Sequence, residues 1–560
     1  MSTATDLAKT STKAGFNYLW GLVISTIISS LGTIYIADVM GAEVYGLYGM
    51  AFVVPNMIMV FRDWGVNSAM VRYTAKYRAE KREAEIKSIF FVGILFEIIV
   101  GLGLSLLSFF LSGYIVTNMY GELSPENAVQ LVSLIQIVSF SILAGGLISA
   151  ATAVFTGMEK TIYYSVMLIC QCVVKTLLIV GLFVAGFGVS GATVGFTFSS
   201  IIAGVVGMVF VLLLYRKMPK DPLYKLNIKF YLKKMLKYSI PLSIAAIVAG
   251  FLAQFYGFIL PRFYGNNIDV IGNYNLAGTF VVLISFFSLP ITNMLFPAFS
   301  KLDIKKDKIA FKNVFQLSVK YSALLVIPVT FIVMCLSSQA VTTLFGDKYS
   351  LTPLFLMLSA VNFLFAAAGS LSTGNILNSQ GQTKLNLKFS ILTAVIGFPM
   401  GYLLIMNYGV FGLIFTSTVA PIPSFILCII WIKKHYELSI NWVSSVKILV
   451  SAAVTAVLTY LMVNSSPING VSAQISTMVN VALTYLPLIS LSLRSAAISL
   501  IIGTFFYIFV LLGVLMLTKT LSTNDIINLR EMSTGLGFIT KIIHLVLNSM
   551  EKIMIKFKLT

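Results

Sequence analysis

About fourteen apolar stretches, each long enough for a helix to cross a bilayer, succeed one another along the chain, and its basic residues collect in every second gap between them. Loops rich in Lys and Arg stay cytoplasmic. The pattern therefore predicts a multi-pass protein of the cell membrane with both termini cytoplasmic. Only helices and closed barrels satisfy every backbone polar group in hydrocarbon, and runs of this length point to helices. Nearly all of the 39 Lys and Arg obey the pattern. Arg262, Lys348 and Arg494 fall in the opposite loops, and Lys175 alone lies deep within a span.

Composition excludes the soluble classes. The chain is 58% hydrophobic and 11% charged, where a soluble protein carries about 25% charged residues. Its net charge of +19 would suggest nucleic acid in a soluble protein. Here the basic residues flank apolar spans, so anionic lipid headgroups account for them and no nucleic-acid partner is expected. Cys170, Cys172, Cys335 and Cys428 all lie in apolar segments. A Cys-x-Cys pair on a helix points its sulfurs about 200° apart, a poor chelate, so neither disulfide nor metal is expected. His435 and His544 sit beside basic residues, which argues against a histidine metal or hydrolase site. The first span reads as a retained helix and not as a signal peptide.

The spans read as 16–37, 44–62, 88–111, 128–150, 162–185 and 190–215, then, after a basic linker at 216–237, as 239–263, 272–298, 317–340, 352–377, 389–407 and 410–432. The expected organisation is a six-helix lobe over 1–215, a second over 238–432, and two further helices within 433–518 separated by a more polar segment at 464–495. The basic tail, 519–560, reads as an amphipathic helix on the membrane surface. Gly41 matches Gly265, Gly46-x-Tyr48 matches Gly272-x-Tyr274, Gly157 matches Gly381, and Gly188-x-x-Gly191 matches Gly409-x-x-Gly412, all at nearly one offset. Six is even, so this predicts a parallel repeat with the substrate path in a cleft between the halves.

Intramembrane polar residues are the candidate functional groups. A charged Lys at the bilayer centre costs about 2.5–3.5 kcal/mol on insertion scales. Gln171 shares the face of Lys175 one turn earlier. One reading of Lys175 is a side chain that snorkels or pairs within the bundle; the other is a cation lining a water-filled cavity. Glu97 lies in the third span, on a stripe with Gly93, Gly101 and Ser108. It reads either as a partner for a cation such as Lys175 or as a protonatable group coupling transport to an ion gradient. Softer polar stripes hold Asn17, Gly21, Ser25 and Gly32 in the first span, and Gly250, Gln254 and Gly257 in the seventh; close helix packing explains such stripes equally well. Neither a phosphate-binding loop nor a Gly-x-Ser-x-Gly nor a His-Glu-x-x-His motif occurs, so no enzymatic activity and no cofactor is expected.

GAEVYGLYGMAF at 41–52 and RDWGVNSAMVRYTAKY at 62–77 resemble the opening of polysaccharide transporters, the O-antigen and oligosaccharide flippases of the multidrug/oligosaccharidyl-lipid/polysaccharide exporter superfamily. Their second helix opens on Gly-x-x-x-Tyr-Gly-x-Tyr and closes on Asp-x-Gly, here Asp63-Trp64-Gly65. FTGMEK at 155–160, NSQGQTK at 378–384 and TNDIINL at 523–529 are similar to later family segments. The resemblance implies two six-helix lobes around a central cleft with two C-terminal helices, an all-α integral membrane architecture of about fourteen spans. It implies translocation of a polyprenyl-phosphate- or diphosphate-linked oligosaccharide to the outer leaflet, with that glycan, membrane lipids and glycan-assembly enzymes as partners. Basic cleft residues are expected: Lys175 foremost, with Arg62 and Arg262 near the two mouths, and Gln171, Asn17, Ser25 and Gln254 as polar walls. A multidrug or cation antiporter of the same superfamily and a lipid II flippase stand as alternatives.

Overall fold

The computed structural model describes residues 2–121, 123–218, 226–301, 308–465 and 495–520, with short pieces within 470–474 and 525–551; the side chains of 2–20, 241–242, 286–287, 289–298 and 300–301 are not among those described. Most of the polar segment predicted at 464–495 and most of the tail lie outside the described residues, as does the centre of the 216–237 linker. The rest is helical. Helices α1 (Ser2–Met59), α2 (Val66–Ala79), α3 (Glu83–Asn118), α4 (Pro125–Gly157), α5 (Thr161–Leu182), α6 (Gly188–Lys217) and α7 (Ile228–Tyr264) come first. They are followed by α8 (Ile268–Lys301), α9 (Lys308–Cys335), α10 (Ser337–Phe345), α11 (Thr352–Ala360), α12 (Ser370–Ser379), α13 (Thr383–Val419), α14 (Ile422–Tyr436), α15 (Trp442–Val463) and α16 (Ser495–Leu517).

Among the described residues, 10 helices are long and apolar enough to cross a membrane, or 11 if the bent pair 352–368 and 370–379 is one span. That pair turns by 57° at Gly369, where a straight span was expected. Large side chains such as Phe110, Phe505 and Phe509 are 74%, 71% and 79% exposed. Such faces suit lipid chains, which solvate them as well as a protein core does. Three of the apolar helices kink at glycine. Gly41 breaks α1 (φ 69, ψ 175), and Gly188 lies between α5 and α6 at φ 53. Gly409 breaks α13 at φ 56, ψ −127, close to the φ 53, ψ −139 of Gly188. A side chain is disfavoured at such angles. Of the other matched glycines, Gly265 is helical at φ −58. The left-handed position held by Gly381 is held after α4 by Glu159, two residues beyond Gly157.

The chain falls into two compact units, residues 1–272 with 390–420, and residues 273–389 with 421–560. In the first unit, α2 packs on α3, α4 and α7. Met70, Tyr77, Phe90, Phe155, Met167 and Met235 form its apolar core. Ser124 caps α4 by accepting from the Asn127 amide at 3.3 Å, with Pro125 at the first helical position. In the second unit, Ile327, Ile448, Ala452, Tyr507 and Leu511 pack with Ile526 and Leu547. Those last two belong to the tail, so these residues of it are core elements of the unit. Asp525 accepts from Lys320 at 2.5 Å and from the Tyr321 hydroxyl at 3.2 Å, fixing the same segment to α9.

Candidate functional site

Across the kink at Gly41, Tyr45 and Tyr48 of the second arm of α1 line one cavity with Thr33 and Ile36 of its first arm. Helix α5 packs against α1. The approach is close: a Cβ on Gly21 would lie 2.4 Å from the Ser165 Cβ, and one on Gly32 2.7 Å from the Thr176 Oγ1. Small residues permit this spacing, so the glycines of the first-span stripe serve packing. Lys175 projects from α5 to this seam, half-buried, and donates to the Ser29 hydroxyl. Beside it is a cavity of about 30 Å³ lined by Thr33, Ile36, Tyr45, Tyr48, Lys175 and Thr176, room for about one water. The structure thus brings the intramembrane lysine together with both tyrosines of the 41–52 motif. Among the described residues no carboxylate pairs with Lys175. Gln171 donates to Ser200 at 3.4 Å, and Ser25 donates to its own helix at the Leu22 carbonyl, 2.9 Å.

Glu97 is placed elsewhere. Its partner is Arg62: Nε lies 3.8 Å from Oε2, and the two residues are 5% and 0% exposed. Helix α1 stops at Met59, three residues short of the expected span end, because the chain turns at 60–65. There Asp63 accepts from the Gly65 amide at 2.7 Å, a side-chain turn typical of Asp. Helix α2 then runs alongside α3, which lets Asn67 donate to Glu97 Oε1 at 2.7 Å. Arg62 also donates to Ser149 at 3.0 Å. Gly145 and Gly146 of α4 make the room: a Cβ on Gly146 would stand 3.1 Å from Glu97 Oε2. Arg62 Nε and Nη1, Asn67 Oδ1 and Glu97 Oε2 are buried without a hydrogen-bond partner. The arrangement holds an ion pair between the turn at 60–65 and α3.

The remaining candidates scatter. Arg262 is exposed and donates from Nη1 to the carbonyls of Asn118 and Met119, both at 3.0 Å. A cation there satisfies and neutralises the last carbonyls of α3, which accounts for a basic residue in a loop that topology leaves acidic. Gln254 is half-buried on α7 between Phe251 and Phe255, which pack on Phe398. The Asn17 side chain lies outside those described.

One group escaped sequence reading. Lys234 on α7 donates to the Tyr77 hydroxyl and lies 5.1 Å from the Tyr73 ring centre; Arg72 on α2 lies 4.1 Å from that of Tyr238. These cations looked like ordinary loop charge. The available signal was the one-turn spacing of Tyr73 with Tyr77 and of Lys234 with Tyr238.

The sequence model of a family described as Polysaccharide biosynthesis protein matches residues 11–303. An uncharacterized membrane protein of Methanocaldococcus jannaschii is 24% identical over 398 residues, 69% of this chain and 78% of that one. The probable low-salt glycan biosynthesis flippase Agl15 of Haloferax volcanii is 23% identical over 166 residues, 30% of this chain and 34% of that one. Among solved structures, the lipid II flippase MurJ in an inward closed conformation matches with a TM-score of 0.61 at 16% identity, covering 88% of this chain and 97% of that chain. An inward-facing multidrug resistance MATE family transporter of the MOP superfamily gives 0.59 at 13% identity, covering 75% and 98%. At these identities the likeness to the two structures shows a shared fold and nothing beyond it.

Proposed function

Because this chain belongs to the polysaccharide biosynthesis protein family, we propose that it is a flippase carrying a polyprenyl-phosphate- or diphosphate-linked oligosaccharide from the cytoplasmic to the outer leaflet. Surface polysaccharide or glycoprotein assembly would consume the product. Among the described residues, counting each arm of the three kinked helices and the bent pair as one crossing gives fourteen candidate spans, in line with the number expected from the sequence. An even number keeps both termini on the cytoplasmic side, in line with the basic gaps. The two expected lobes would alternate access to the cleft between them.

The observation that carries this reading is Lys175. It is an amine in an apolar helix, held by a hydroxyl and facing two tyrosines, with no described carboxylate to neutralise it. Sugar hydroxyls and phosphate lose their water on entering hydrocarbon, at several kcal/mol for each unmatched group. A fixed cation offsets that cost for a phosphate and offers nothing to a cationic drug. Ser25 of α1 and Gln171, one turn before Lys175 on α5, would supply hydroxyl and amide groups, while Glu97 and Arg62 would act on conformation and ion coupling. An antiporter of cations would favour a buried acid without a basic partner; the described intramembrane acid, Glu97, has Arg62. The test is genetic and chemical. Cells lacking the chain should accumulate the lipid-linked oligosaccharide facing the cytoplasm, and unchanged glycan export in such cells would end the proposal.

A further inference from the structure

The end of the first unit where α2 meets α7 gathers several cations that have no ion-pair partner among the described residues. Three nearby carboxylates are already engaged, Glu80 with Lys76 and Arg82, Glu85 with Arg82, and Glu159 with Arg78, while Glu83 is exposed and makes none of these ion pairs. Among the described residues, no carboxylate pairs with Arg72, Lys229, Lys233, Lys234 or Lys237. Two of these five are held in place. Lys234 is half-buried between Tyr73, Tyr77 and Phe230, at 5.1, 5.0 and 5.6 Å from their ring centres. Arg72 lies 4.1 Å from the centre of Tyr238 and 5.9 Å from that of Tyr73. Tyr73 therefore touches both cations, and it packs edge-on against Tyr238 with centroids 6.1 Å apart. Tyr73 and Tyr238 pack against the core cluster that holds buried Tyr77, Tyr231 and Met235.

Aromatic faces attract cations but accept no conventional hydrogen bond from them. An ammonium has three donors and a guanidinium five. The Tyr77 hydroxyl takes one from Lys234, and the remaining donors of this pair aim at no described acceptor. A compact anion with several oxygens fits that arrangement, and phosphate matches guanidinium geometry. The flanking surface says what bears the phosphate. Leu226, Ile228 and Phe230, at the start of α7, are 43%, 40% and 54% exposed. They stand among Lys229, Lys233 and Lys237, which are also exposed and one turn apart. Apolar and basic residues mixed at the base of a membrane helix suit the headgroup level of a bilayer.

We propose that Arg72 and Lys234, set among Tyr73, Tyr77 and Tyr238, form a binding site for the phosphate headgroup of a membrane lipid. The site is separate from Lys175 and holds whether or not the chain moves a glycan. The lipid is either a bulk anionic phospholipid or an isoprenoid phosphate. The experiment uses the full chain in nanodiscs of neutral lipid, with farnesyl diphosphate and phosphatidylglycerol as separate probes. The wild-type chain should bind at least one of them, and the R72Q/K234Q pair should bind about tenfold or more weakly, the loss expected for two charge-assisted contacts. R72K/K234R should retain binding, as should K434Q, which removes an exposed charge from the other unit. Selective binding of farnesyl diphosphate would assign an isoprenoid carrier, and selective binding of phosphatidylglycerol a bulk lipid; either upholds the site. The proposal is overturned if the wild type binds neither probe or if R72Q/K234Q binds as the wild type does. It is equally overturned if R72K/K234R loses binding as fully as the Gln pair, since charge would then not be what the site reads.

Discussion

Arg62 and Glu97 form a buried ion pair between the turn at 60–65 and α3, with Nε 3.8 Å from Oε2 and Asn67 donating to the other carboxylate oxygen. Removing one member of such a pair strands a charge away from water, which costs about 3–5 kcal/mol. Arg62→Met and Glu97→Leu should each lower the thermal stability of the purified protein markedly. The double variant should be more stable than either single one, because no charge is stranded. Equal or additive losses in a double-mutant cycle would show that the pair is not coupled.

Gly46 and Gly272 cross backbone to backbone. A Cβ on Gly272 would lie 1.8 Å from the Ala42 carbonyl oxygen, and one on Gly46 2.1 Å from that of Ile268. Backbone cannot yield as a side chain does, so Gly272→Ala should cost more than the 1–3 kcal/mol usual for overpacking. Gly103→Ala, with nothing within 4 Å of its Cβ, should leave stability unchanged. Comparing the melting of the two variants in detergent checks the crossing; similar values would contradict it.

Asp525 is 3% exposed and accepts from both Lys320 and Tyr321. With Ile526 it anchors the segment after α16. Asp525→Ala strands the Lys320 ammonium and should speed proteolysis beyond residue 520, while Asp525→Glu should protect nearly as well as the native residue. Cleavage at the native rate in Asp525→Ala would mean that the anchor is unimportant.

Much of this was legible in the sequence because hydrocarbon imposes a simple rule. Every backbone group must be paired within a helix, so apolar runs map directly onto spans, and a lysine inside one stands out. Lys175 was found that way. The pairing of Glu97 was not, because Arg62 sits just past an apolar run and only the turn at 60–65 brings α2 back along α3. Nor was the place of Arg262, whose partners are the final carbonyls of a helix distant in sequence. Glu159 hid for a different reason. At φ 55 it holds a conformation that sequence reading assigns to glycine, so the match drawn at Gly157 fell two residues short. Charge pattern likewise cannot separate Arg72 and Lys234 from the cations around them, since only the fold shows which cations lie against aromatic rings.

The proposed role of Lys175 is to assist movement of a phosphate-bearing glycolipid. It is tested by reconstituting the purified chain in vesicles with a fluorescent polyprenyl-diphosphate oligosaccharide and measuring how much label becomes accessible to an impermeant quencher. The wild-type chain should raise the accessible fraction above the half seen in empty vesicles. Lys175→Ala should slow that rise about tenfold or more, the loss expected for one charge-assisted contact in a site of low dielectric, and Lys175→Arg should retain most of the rate. A Lys175→Ala rate equal to the native one, in protein that melts as the wild type does, would contradict the account.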